Sequence, residues 1–138
     1  MSTTTLNTVP PAVLTAYVDA FNRGDLDGLC QLFTPDALVF GVLGWGEIGK
    51  VRPIWSQLMS GLRMNLTIDA VAVDGSTVAV RYTERGTFSA PFRGAAPTGK
   101  SYEIVAMEWF ELEGDLIRRR WGARDSATIA RQVGLPLS

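Results

Sequence analysis

Residues 102–112, YEIVAMEWFEL, decide the reading of the fold. Their unbroken alternation predicts a long strand. Strand side chains alternate with period two, so Tyr102, Ile104, Ala106, Glu108, Phe110 and Leu112 share one face. Five of those six suit a core, and the sixth, Glu108, is a carboxylate. An unpaired charge in an apolar core costs several kcal/mol, so such a group is neutral, paired or next to water. The opposite face (Glu103, Val105, Met107, Trp109, Glu111) is also partly apolar. Alternation alone therefore leaves two readings of Glu108: a group facing a pocket, or one at a rim or interface.

Outward from this strand, the period is two from Asn65 onward. Residues 65–73, 77–88, 100–111 and 116–121 read as successive strands, with Asp74-Gly75 and Glu113-Gly114-Asp115 as hairpin turns. Upstream the period is helical. Leu14, Tyr17, Val18 and Phe21 follow i, i+3, i+4, i+7 after a start at Pro10-Pro11. Gly24 stops that helix, and Asp25 caps a second one that turns Leu26, Leu29, Cys30 and Phe33 inward. A turn at Thr34-Pro35-Asp36 leads to a short strand at 37–42 and a glycine-rich, greasy loop holding Leu43 and Trp45, either a pocket lid or a loop packed on the surface. Val51, Trp55, Leu58, Met59 and Leu62 mark a third helix with Pro53 in its first turn, and Asp125 caps a short terminal helix at 127–133. Helices followed by a meander predict an α+β fold: a cone-shaped, curved antiparallel sheet wrapped on three N-terminal helices, with a short C-terminal helix. Residues 1–9 read as a flexible arm and 10–138 as a single domain.

Composition narrows the chemistry. The 138 residues are 46% hydrophobic with a net charge of −1, which argues against disorder and against an electrostatic nucleic-acid binder. Arg118-Arg119-Arg120 is short, and alternation splits it between two faces, so it reads as solvated. No apolar run approaches the roughly 20 residues of a membrane span, and the N-terminus lacks the pattern of a signal peptide. One cysteine excludes an internal disulfide and fits the cytoplasm. Histidine is absent, which rules out the common zinc sites and the Ser-His and Cys-His nucleophiles. Neither metal nor cofactor is expected, and acid–base work falls to Asp, Glu, Tyr, Lys or Arg.

The segment AYVDAFNRGDLDGLCQLFTPDA resembles the opening of ketosteroid isomerases and of the wider nuclear-transport-factor-two-like superfamily. RYTERGTFSAPFRGAAPTGKSYEI, EWFEL and RRRWGARDSATIARQVGL resemble its SnoaL-like polyketide cyclase branch, and YTER followed by PTGKSY is similar to limonene epoxide hydrolases. The resemblance covers nearly the whole chain and implies a cystatin-like α+β barrel with one cavity between sheet and helices. It also implies a homodimer through the outer sheet face, where Val105, Met107 and Trp109 would suit an interface. Tyr17 and Glu108 fall on the two ketosteroid isomerase donors that hold the enolate oxygen. That family's base falls on Gly41, so a steroid isomerase is not expected. Trp121 and Asp125 match the cyclase spacing, which makes Asp125 the implied acid/base, although Phe88 and Gly122 depart from that pattern. Against limonene epoxide hydrolase Arg85 is kept, but Thr87 and Ala123 replace its aspartates, which excludes that relay.

The expectation is a cofactor-independent enzyme that moves a proton on an apolar carbonyl compound by isomerisation or cyclisation. Asp125, Tyr17 and Glu108 would be catalytic, and Trp121, Phe88, Arg85, Trp55 and Phe33 would bind substrate. Glu108 can donate only while neutral, which needs burial without a close cation. Plainer readings stand beside these: Tyr17 as a core tyrosine, Asp125 as a helix cap, Arg85 on a wet face, and the whole domain as a non-catalytic binding or dimerisation module.

Overall fold

In the computed structural model, residues 9–41 and 44–135 are described. The expected arm lies outside them apart from Val9, as do Val42, the last residue of the expected strand at 37–42, and Leu43 of the expected loop. Among the described residues the order is α1 (Ala12–Arg23), α2 (Leu26–Cys30), β1 (Phe33–Gly41), β2 (Gly44–Glu47), α3 (Ile48–Gly61), β3 (Asn65–Asp74), β4 (Thr77–Thr87), β5 (Ser101–Glu113), β6 (Leu116–Arg124) and α4 (Ser126–Val133). The six strands form one curved sheet ordered β2-β1-β6-β5-β4-β3. It is mixed, which corrects the all-antiparallel expectation: β1 runs parallel to β6, and the other neighbouring pairs are antiparallel. The loop expected around Gly44 and Gly46 instead forms an edge strand on β1. α3 starts at Ile48, so Pro53 lies beyond its first turn. It is tolerated on an exposed face, where its missing N–H leaves one carbonyl facing water.

The strand at 102–112 falls in β5, next to the middle of the sheet, and its predicted faces hold. Tyr102, Ile104, Ala106 and Phe110 are buried, whereas Glu103, Val105, Met107 and Trp109 are exposed. The helices supply the other half of the core through the predicted stripes, with Leu14, Tyr17 and Phe21 of α1 and Trp55 and Leu58 of α3 all buried. Aromatic edges interlock there: the Tyr17 ring lies 5.2 Å from Phe21 and 5.1 Å from Phe110, and Trp55 lies 5.4 Å from Phe33. α1 ends at Gly24, whose φ of 68° suits glycine. Just before it, the Asn22 side chain exchanges hydrogen bonds with the backbone of Leu66 and ties α1 to β3. No helix among the described residues is long and apolar enough to cross a membrane.

Candidate functional site

The inner face of the sheet carries two buried clusters of charge. In the first, Glu108 of β5 is reached by Tyr17 of α1 and by Arg120 of β6. Tyr17 donates its hydroxyl to Glu108 Oε2 at 3.0 Å, and Arg120 Nη1 donates to the same oxygen. The side chains of Arg120 and Glu108 are only 8% and 9% exposed. Three polar atoms here are buried without a partner: Glu108 Oε1, Arg120 Nε and the Tyr82 hydroxyl. Buried polar groups are nearly always bonded, so three together mark a place where water or a ligand oxygen belongs.

The second cluster lies further along the same face. Glu84 of β4, 1% exposed, takes Arg124 Nε on Oε1 at 2.9 Å and Arg124 Nη2 on Oε2. Tyr102 also donates its hydroxyl to Oε2. Burial, and then the nearby carboxylates, push all three tyrosine hydroxyls above their ordinary value, so each remains a protonated donor at neutral pH.

Two glycines make room for these contacts. A Cβ on Gly122 would overlap Arg120 Nη1, and one on Gly86 would overlap the Tyr102 ring and the Leu62 carbonyl. A side chain at either position would push the guanidinium or the phenol off its carboxylate.

Both clusters border one cavity, whose apolar wall includes Phe21, Val39, Trp55 and Leu58. Its free space is about 50 Å³. That holds a few waters, so a larger ligand enters only if wall side chains move aside. Gly41 also lines the cavity. The position that carries the base in the resembling isomerases therefore faces the right space with no side chain. Among the described residues no three His, Cys, Asp or Glu side chains gather as metal ligands.

The residues expected from sequence divide sharply. Tyr17, Glu108 and Trp55 line the cavity. Glu108 does not meet the condition for a neutral donor, because Arg120 is ion-paired to it. Asp125 is exposed and does not converge on the cavity: its carboxylate caps α4, accepting from Thr128 N and Thr128 Oγ1. Trp121 faces outward, 39% exposed, and stacks on Phe40. Arg85 also lies on the outer face, paired at 2.6 Å with Glu103. Phe33 and Phe88 are buried in the core but do not border the cavity, Phe33 behind the Tyr17 and Trp55 rings.

Arg120, Arg124, Tyr82 and Glu84 were missed. For Tyr82 and Glu84 the signal was present, because they continue the inward alternation of Val78 and Val80. Arg120 was hidden by a bulge. Glu111 pairs with Arg119 and Leu112 with Ile117, so Arg118 is an extra residue that shifts the parity of β6. Beyond it Arg120, Gly122 and Arg124 face inward, which corrects the reading of the arginine run as solvated.

The chain matches the SnoaL-like domain over residues 14–120. It is 33% identical over 132 residues to the epoxide hydrolase LasB of Streptomyces lasalocidi, an alignment that covers 90% of this chain and 45% of the relative. The chain thus spans just under half the length of that relative. Among solved structures it is similar to IdmH, a candidate polyketide cyclase from Streptomyces antibioticus, at 26% identity and a TM-score of 0.77 over 88% of this chain and 96% of that one. It also shares its fold with AclR, a candidate hydroxylase from Streptomyces galilaeus, at 19% identity and a TM-score of 0.81 over 92% and 82% of the two chains. With the cone-shaped sheet and a family match that spans about four-fifths of the chain, the chain belongs to the SnoaL-like family of the nuclear-transport-factor-two-like fold.

Proposed function

We propose that the chain is a cofactor-independent acid–base catalyst of isomerisation or ring closure in an apolar, oxygen-bearing small molecule. One observation carries this reading: a free acceptor, Glu108 Oε1, lies buried in the same cluster as two free donors, the Tyr82 hydroxyl and Arg120 Nε. Tyr17 and Arg120 hold Oε2 and thereby fix the direction of Oε1. Glu108 becomes the base rather than a neutral donor, and Asp125 has no part in the chemistry. Oε1 takes the proton α to a carbonyl, and the charge that develops on the carbonyl oxygen is met by Tyr82 and Arg120. Fixed donors of this kind often give the largest electrostatic contribution in enzymes. The proton then returns at another carbon, which is isomerisation, or the enolate carbon adds to a second carbonyl of the same molecule, whose C=O π bond opens and whose oxygen takes the proton back from Glu108, which closes a ring.

The relation to an epoxide hydrolase favours a second substrate for the same groups. With a hydroxy-epoxide, Oε1 would take the hydroxyl proton as that oxygen bonds to an epoxide carbon, the bond from this carbon to the epoxide oxygen breaks, and the alkoxide, held by Tyr82 and Arg120, takes the proton back from Glu108. Both readings fail together if Glu108 is not the base. The test is turnover of an apolar β,γ-unsaturated ketone and of an apolar hydroxy-epoxide, with deuterium uptake α to the carbonyl of that ketone in D₂O as a minimal assay. Glu108→Gln is expected to lower the rate by about 10²–10⁴-fold. Wild-type rates in that variant, or no turnover and no uptake by the wild type, would instead favour a binding or dimerisation module. The outward apolar set Val105, Met107, Trp109 and Trp121, 39–55% exposed, supports that rival.

A further inference from the structure

We infer that Arg124 is a second binding pole of the cavity, which selects substrates carrying a neutral acceptor oxygen (a carbonyl, ester or ether) set apart from the reacting group. This rests on the reading of the cavity as a substrate site and adds what the substrate must carry. Arg124 commits Nε and Nη2 to Glu84, while Nη1 takes no partner among the described residues. The side chain borders the cavity and is 13% exposed, so Nη1 is open to an occupant.

The sheet register shows where that occupant would lie. Tyr82, Ala106 and Arg124 are directly opposite one another on β4, β5 and β6. The small Ala106 leaves a floor between the two larger side chains, and it too lines the cavity. Glu108 pairs with Gly122, two residues away along the strands. At a strand rise near 3.3 Å, the two poles are therefore about 7 Å apart along the sheet. A molecule lying over Ala106 presents one oxygen to Arg124 while its reacting end meets Glu108 and Tyr82.

Charge balance decides which oxygen. Arg120 is paired with Glu108 and Arg124 with Glu84, so the buried cavity has no surplus positive charge. A carboxylate or phosphate would enter uncompensated, and an unpaired buried anion is costly. A neutral acceptor takes the free N–H without that cost.

The experiment uses three ring compounds of similar size: cyclohexanone, methylenecyclohexane and cyclohexanecarboxylate. Binding is followed by NMR titration of the full chain, with the Arg124 side-chain resonances as reporter. Cyclohexanone should bind about tenfold more tightly than the other two, as one net hydrogen bond allows, and should shift Arg124. Arg124→Lys keeps a cation for Glu84 and should erase the preference while leaving methylenecyclohexane binding unchanged. The proposal is overturned if ketone and alkene bind equally to the wild type. It is equally overturned if the carboxylate binds best, or if Arg124→Lys weakens all three alike, which is the mark of a purely structural residue. The two readings separate in Glu108→Gln. Preference retained with no turnover in the wild type would overturn the catalytic reading alone. Turnover lost in Glu108→Gln with no ketone preference in the wild type would overturn this one alone.

Discussion

The two buried carboxylates are built from the same parts: a glutamate on a central strand, an arginine on β6 and a tyrosine hydroxyl. They differ in how completely they are satisfied. Both oxygens of Glu84 are bonded, by two guanidinium nitrogens and a phenol. Glu108 receives both of its donors on Oε2 and has none on Oε1. A saturated carboxylate has nothing left to react, so Glu84 serves to hold Arg124 and Tyr102 in place. A half-satisfied pair gives up bonding free energy that a fully bonded core would keep. Such a deficit persists where function needs an open valence.

Removing one cation at a time breaks the comparison most severely. Arg124→Met strands Glu84 at 1% exposure, with only Tyr102 left to bond it. The expected cost in chemical denaturation is about 3–5 kcal/mol, the usual penalty for an unpaired buried charge. Arg120→Met should cost less, because the Glu108 side chain, 9% exposed, reaches water more readily than Glu84 does. Replacing the whole second cluster with apolar groups (Arg124→Met, Glu84→Leu, Tyr102→Phe) should recover most of the loss, since no charge is then left behind. If the triple variant is no more stable than Arg124→Met, packing rather than charge accounts for the cluster.

The tyrosines sharpen the same contrast at smaller scale. Tyr102→Phe deletes a hydrogen bond to a charged group and should cost about 1.5–3 kcal/mol, with little effect on turnover. Tyr82→Phe deletes a buried hydroxyl that has no partner. It should leave stability level or slightly higher, yet lower the rate by about 10²-fold if Tyr82 stabilises the developing charge. The reverse pattern, with Tyr82→Phe unstable but active, would assign the open valence to structure.

How much of this was legible follows from which physical signals are local. The helix stripes at Tyr17, Phe21 and Trp55 and the alternation of β5 are carried by neighbouring residues, so the fold and the face that Glu108 shares with Tyr102, Ile104, Ala106 and Phe110 could be read directly. Which face lies inward could not, because both are partly apolar. Nor could the partner of Glu108. Arg120 faces inward only because Arg118 is an extra residue against β5, and that bulge is set by cross-strand pairing. The parallel pairing of β1 with β6 is likewise a long-range choice that no local pattern announces. Trp121 and Asp125 were misplaced for a related reason. Their spacing matched a functional pattern, but the same bulge turns Trp121 outward, and an aspartate opening a helix has an ample local role.

Asp125 yields the smallest effect and the clearest discrimination. Its carboxyl is held below the ordinary range by the Thr128 hydroxyl and then by the Thr128 backbone N–H. For a group depressed in the folded state, the contribution is present above its ordinary value and fades as pH falls through the lowered one. Below that range α4 should fray, with faster amide exchange at Thr128 and Ile129, whose N–H groups bond to Asp125. Asp125→Ala should show the same fraying at neutral pH, whereas Asp125→Asn retains an acceptor and most of the cap. Neither substitution should change the proton-transfer rate by more than the loosening of α4 passes to Arg124, the residue just before the cap. A large loss of turnover in Asp125→Asn with α4 protection intact would return Asp125 to the chemistry. The half-open Glu108 cluster would then be only a solvated part of the core.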